Sequence, residues 1–126
     1  MAEYKPENII ERLRHTINTG KYGKDYAIIP RDKNNSLREK YLIDDSKVKA
    51  ILLDLNPDDY IESGYSDNDD FINDIVHIFG KEVQLIPRNS EKIDYEKVKL
   101  YIKFTWTDSG NGKYLIIISF HKWNDI

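Results

Sequence analysis

The sequence predicts an α+β domain with N-terminal helices packed on a C-terminal antiparallel β-sheet, and three observations carry that prediction. Apolar residues recur at helical spacing through the first half of the chain. The second half alternates apolar and polar residues with a period of two. A glycine-containing turn, Asp108-Ser-Gly-Asn-Gly112, joins the two most strongly alternating segments. Helices first and strands afterwards describe a helical layer on a sheet. At 126 residues, 1–126 reads as a single domain long enough to bury one core.

The elements follow in order. Pro6 suits a first helical turn, and Ile9, Ile10, Leu13 and Ile17 then mark one face of a helix over about residues 6–18, with Gly20 as its stop. Tyr26-Ala-Ile-Ile-Pro30 is a short apolar run ended by proline, an edge strand or a packed loop. Residues 31–36 are polar and turn-prone, which predicts mobility, and Ser36–Tyr41 suits a short helix. Asp44-Asp-Ser46 offers caps to a second clear helix carrying Val48, Ile51, Leu52 and Leu55, which Asn56-Pro57 ends. Tyr60–Ser63 is weakly strand-like, and Gly64–Asp70 reads as an acidic loop. Ile75–Ile86 reads as a strand, in which Gly80 marks a bulge or a close backbone approach.

The last two segments allow a register to be inferred. Leu100, Ile102, Phe104 and Trp106 share one face of the first, and matching them to Phe120, Ile118 and Ile116 of the second buries both apolar rows. A slip of one residue would turn a whole row outward. This register sets Tyr101 opposite His121 and Lys103 opposite Ser119. Opposed side chains have Cβ atoms about 4.5–5.5 Å apart, so a phenol, an imidazole and an ammonium would share one solvent-facing patch. The alternative is an ordinary solvated strand face with one polar residue near its end.

Composition narrows the chemistry. The absence of cysteine excludes disulfides, thiolate metal sites and thiol nucleophiles. No apolar run approaches the roughly 18 residues of a membrane span, and the amino terminus lacks a secretory apolar core, so the expectation is a soluble cytoplasmic protein with no membrane partner. The net charge of −3 hides a segregation: residues 44–75 hold ten acidic residues against two basic ones, while the flanking segments are mildly basic. That permits a local basic groove, the usual footprint of nucleic-acid binding, and equally a docking face for a basic partner. Asp67-Asn-Asp-Asp70 lacks the glycine and glutamate that an EF-hand loop requires, so a solvated loop is expected. His77, in an apolar strand, suits a hydrogen-bonded structural role, and His15 lies on the polar face of the first helix. The three histidines have no metal-ligand spacing; neither metal nor cofactor is expected.

Over about residues 37–123 the chain resembles the MqsR-type toxins of bacterial toxin–antitoxin systems, within the RelE-like group of mRNA endonucleases. The resemblance lies in Val48-Lys-Ala-Ile-Leu-Leu-Asp-Leu55 followed by Asp59-Tyr60, in Phe79-Gly80-Lys81-Glu82, in Tyr101-Ile102-Lys103 and in Ile118-Ser119-Phe120-His121. It implies a RelE-like fold, metal-independent cleavage of single-stranded mRNA, free or on the ribosome, and neutralisation by a cognate antitoxin. Tyr101 matches a tyrosine assigned to catalysis in the family, and His121 falls where a terminal-strand lysine or histidine is found. Lys81 is a further candidate. Glu62 stands about where the family carries a catalytic lysine, and its active-site glutamine has no match here. These departures fit an alternative, a catalytically inactive RelE-like interaction module binding a protein partner. For cleavage, His121 would transfer the proton, since an imidazole titrates near working pH. Lys103 and Lys81 would stabilise the phosphate charge, and Tyr101 would orient the phosphate or the 2′-hydroxyl, or stack a base.

Overall fold

The computed structural model describes residues 5–65, 74–89, 91, 94–109 and 112–125. Helix α1 (Pro6–Thr19) begins with the proline at its first turn, and its 3–4 spacing buries Ile9, Ile10, Leu13 and Ile17. Strand β1 (Tyr26–Ile28) and helix α2 (Asp32–Lys40) follow. In α3 (Asp45–Leu53) the Asp44 carboxylate caps the first turn by accepting from the Lys47 N–H at 2.8 Å. Asn56 and Asp59 close a reciprocal capping box on a 3-10 turn (Pro57–Asp59). The chain then runs through β2 (Tyr60–Tyr65), β3 (Ile75–Leu85), β4 (Glu96–Ser109) and β5 (Gly112–Lys122) to a final 3-10 turn, Trp123–Asp125. Two sequence expectations, the acidic run 67–70 and the centre of the 108–112 turn, lie outside the described residues.

The architecture is α+β: three helices on the N-terminal side pack against a five-stranded sheet of order β1-β5-β4-β3-β2. The sheet is mixed, and its C-terminal strands are antiparallel as the sequence predicts. β2 to β5 pair antiparallel, but β1 joins β5 in parallel, with Ala27 opposite Ile116. The long chain between β1 and β5 permits that parallel return. Pro30 ends β1 at the sheet edge, where a missing N–H is tolerated.

Residues 32–36, expected to be mobile, are helical. The reason is Asn34, which is buried on α2 at the edge of β5. Its amide nitrogen donates to the carbonyls of Ile29 and Ile118, both at 2.9 Å, and its oxygen accepts from Phe120 N–H at 2.8 Å. Beyond the three-residue β1 these edge groups of β5 would lack a strand partner, so one side chain stands in for it.

The inferred hairpin register holds from Leu100↔Lys122 to Lys103↔Ser119 and then shifts by one, so that Phe104 pairs with Ile117. An extra residue on β5 produces a bulge at Ile118. The core row of β5 is therefore Phe120, Ile117 and Leu115; Ile116 is half-buried and faces elsewhere. These residues join Leu100, Ile102, Phe104 and Phe79 beneath the helices' Leu13, Ile17, Leu37, Val48 and Leu52. A uniform register would have left either Phe120 or Ile117 facing away, and the bulge seats both.

Candidate functional site

On the sheet face opposite the core row, Gly80 of β3, Tyr101 of β4 and His121 of β5 stand side by side. The Tyr101 and His121 rings stack, with centroids 5.4 Å apart and planes 19° from parallel. Trp123, in the turn that follows β5, meets Tyr101 edge-on at 5.6 Å. Glycine at position 80 is what admits the indole: a Cβ there would lie 2.9 Å from Trp123 Cζ3. Lys99, two residues before Tyr101, places its ammonium 4.2 Å from the centre of the Trp123 ring. Lys103, two residues after Tyr101, is half-buried opposite Ser119.

His121 Nδ1 lies 2.9 Å from the carbonyl oxygen of Lys122. A carbonyl only accepts, so Nδ1 carries the proton and, in the neutral ring, Nε2 holds the lone pair. The arrangement offers a proton acceptor, a phenol and two nearby ammonium groups on one side of a rigid sheet.

Three of the four residues expected at the site are brought together: Tyr101, His121 and Lys103. Lys81 is not. It follows Gly80 by one residue, so strand alternation turns it to the core face, where it pairs with Leu100. There its ammonium lies 3.2 Å from Asp54 and 3.4 Å from Asp59, with its side chain 11% exposed. Lys81 ties the end of α3 and the following 3-10 turn to the sheet. The expected exposure of His121 is also corrected. The imidazole residue is only 5% exposed, with Tyr101 stacked against it, while Tyr101 itself is half-buried. Glu62 is exposed on β2, two strands from Tyr101.

A second polar centre lies on the core face. Tyr60 donates to Ser63 Oγ at 2.8 Å, and Ser63 Oγ lies 2.6 Å from His77 Nδ1. Burial first, and the Arg12 guanidinium second, push the His77 pKa from 6.5 down to about 4. His77 is thus neutral at pH 7 and structural, as the sequence suggested. His15 is exposed on α1. Among the described residues no group of three or more histidine, aspartate or glutamate side chains is placed to hold a metal ion, and no described helix is long and apolar enough to cross a membrane.

Trp123 and Asn34 escaped the sequence reading. Trp123 had a signal, an aromatic residue directly after the His121-Lys122 pair. Asn34 had none, since a polar residue in a polar run gives no hint of burial. The fold and this face define an α+β protein with a stacked phenol–imidazole pair beside lysines. In comparisons with known proteins, no family model, no curated protein and no solved structure matches the chain.

Proposed function

We propose that this protein is a metal-independent endoribonuclease that cleaves single-stranded mRNA, a cytoplasmic toxin neutralised by a cognate antitoxin. The observation that carries the reading is the stacked Tyr101–His121 pair, 5.4 Å between ring centres, with Lys103 beside it. His121 Nε2 takes the proton of the 2′-hydroxyl. The 2′-oxygen attacks the adjacent phosphorus, the bond to the 5′-oxygen breaks, and the imidazolium returns its proton to that leaving oxygen. The products are a 2′,3′-cyclic phosphate and a 5′-hydroxyl. Lys103 stabilises the charge that builds on the phosphate, and Tyr101 orients it. Lys81, held by Asp54 and Asp59 on the other face, has no part in this scheme.

The experiment is incubation of the purified protein with a long RNA in EDTA, with and without ribosomes, alongside His121→Ala and Tyr101→Phe. Cleavage by the parent and its loss in His121→Ala is expected; equal cleavage by all three removes the assignment. A second reading, a catalytically inactive RelE-like module that binds a protein partner, draws on the 5% exposure of His121 and on Glu62. Expression in bacteria separates the two. An active toxin arrests growth and His121→Ala relieves the arrest, whereas an inactive module leaves growth unchanged.

A further inference from the structure

The acidic segment of the sequence takes no part in the Tyr101–His121 face, and the fold sets its strand at one edge of the sheet. Residues 50–80 carry eight acidic residues and no lysine or arginine. β2 runs through the middle of that stretch and stands last in the strand order. It pairs with β3 on one side, and among the described residues no strand or bridge meets its other side. Such an edge presents unpaired backbone N–H and C=O groups, a template for one more strand. The opposite edge strand, β1, is three residues long and is followed closely by Pro30, two features that discourage pairing; β2 has six residues and no proline. Its side chains are also open to a partner. Ile61 is 43% exposed and Tyr65 72%. Exposed Glu62, and exposed Asp58 just before the strand, make no ion pair among the described residues, whereas Lys81 pairs with Asp54 and Asp59.

From this geometry we propose that the free side of β2 docks an extended, basic segment of a partner protein, which extends the five-stranded sheet by one strand. Alternation sets what the segment must carry. Ser63 and Tyr65 point to one face of the sheet and Glu62 and Gly64 to the other. The added strand therefore places an apolar residue beside Tyr65 and a lysine or arginine beside Glu62. Gly64 leaves room for that longer side chain, since nothing lies within 4 Å of a Cβ built there. Charge selects the occupant. A second copy of this chain would bring two acidic edges together, and an RNA strand would meet the same repulsion; a basic segment gains from both carboxylates. The proposal is independent of RNA cleavage, because β2 lies two strands from Tyr101.

The probe is a fluorescein-labelled peptide of alternating lysine and valine, six residues long like β2. Two control peptides accompany it. One carries glutamate in place of lysine; the other has its backbone nitrogens methylated, which keeps the side-chain charges and removes every N–H that could pair. Anisotropy gives the affinity for the parent and for Glu62→Lys at about 50 and 200 mM salt, and hydrogen exchange follows the β2 amides with and without peptide. Glu62 is exposed, so its variant leaves the core intact. The lysine peptide should bind the parent and slow exchange along β2, and both controls should fail. Replacing an opposite-charge pair by a like-charge one should weaken binding about 2- to 30-fold in Glu62→Lys. Equal binding of the methylated peptide would show attraction by charge alone and overturn strand addition. A parent that binds no lysine peptide, unchanged exchange along β2, or an unchanged affinity in Glu62→Lys would overturn it as well. β2 amides whose protection rises with protein concentration in the absence of peptide would give the edge to a second copy and likewise overturn the proposal.

Discussion

His77 makes the fold sensitive to acid over a defined window. The residue is 5% exposed, shares a hydrogen bond with Ser63 and sits near Arg12, and burial first and the guanidinium second lower its pKa from 6.5 to about 4. The unfolded chain binds a proton at this site below pH 6.5, whereas the folded chain resists it until about pH 4. Neutral His77 therefore contributes stability that is fully present above pH 6.5 and is lost as pH falls toward 4. At about 1.4 kcal/mol for each pH unit, the difference corresponds to about 3 kcal/mol. Carboxylates titrate in the same range, so the assay is a comparison. Urea denaturation of the parent and His77→Gln is followed from pH 7 to 4, and the stability gap between them should narrow by about 3 kcal/mol. A gap that stays constant across that range would refute the reasoning, as would an imidazole resonance titrating near 6.5 in the folded protein.

Other perturbations test the scaffold around the site. Asn34→Leu strips partners from the Ile118 carbonyl and the Phe120 N–H and should destabilise by on the order of 3 kcal/mol in urea melts, because a buried group left unsatisfied costs about 1–3 kcal/mol; a loss below 1 kcal/mol would contradict its role at the edge of β5. The Cβ that Gly80→Val adds would lie 2.9 Å from Trp123 Cζ3, so the variant should displace the indole and red-shift tryptophan emission at a cost of about 1–3 kcal/mol, whereas unaltered emission would show that the indole does not rest on β3. Lys81→Gln should lower thermal stability while leaving RNA cleavage at the parent's rate, and a loss of cleavage in a folded Lys81→Gln would return that residue to the site.

Much of the fold was legible because the hydrophobic pattern carries the period of each element. The faces of α1 and α3, the alternation of β4 and β5, and the pairing of Tyr101 with His121 all follow from which residues must be buried. What was not legible came from interactions between distant segments. The parallel seat of β1 depends on a strand some ninety residues later, and Asn34 becomes structural only when β5 presents unpaired backbone to it. The bulge at Ile118 is set by the need to bury both Phe120 and Ile117, a choice that alternation alone leaves open. Lys81 was misplaced because a motif gives order along the chain, while the face is set by parity: Gly80 shares a row with Tyr101, so its neighbour cannot. The burial of His121 likewise depends on a ring stacked from the adjacent strand.

The most direct test of the central claim is the rate of RNA cleavage in EDTA by the parent and by a folded His121→Ala, with the product ends identified. The claim predicts 2′,3′-cyclic phosphate and 5′-hydroxyl ends from the parent, and a rate about 10²–10⁴-fold lower in the variant, the usual worth of a positioned acid–base group. A His121→Ala protein that cuts as fast as its parent, or a parent that leaves RNA intact both free and on ribosomes, would contradict it.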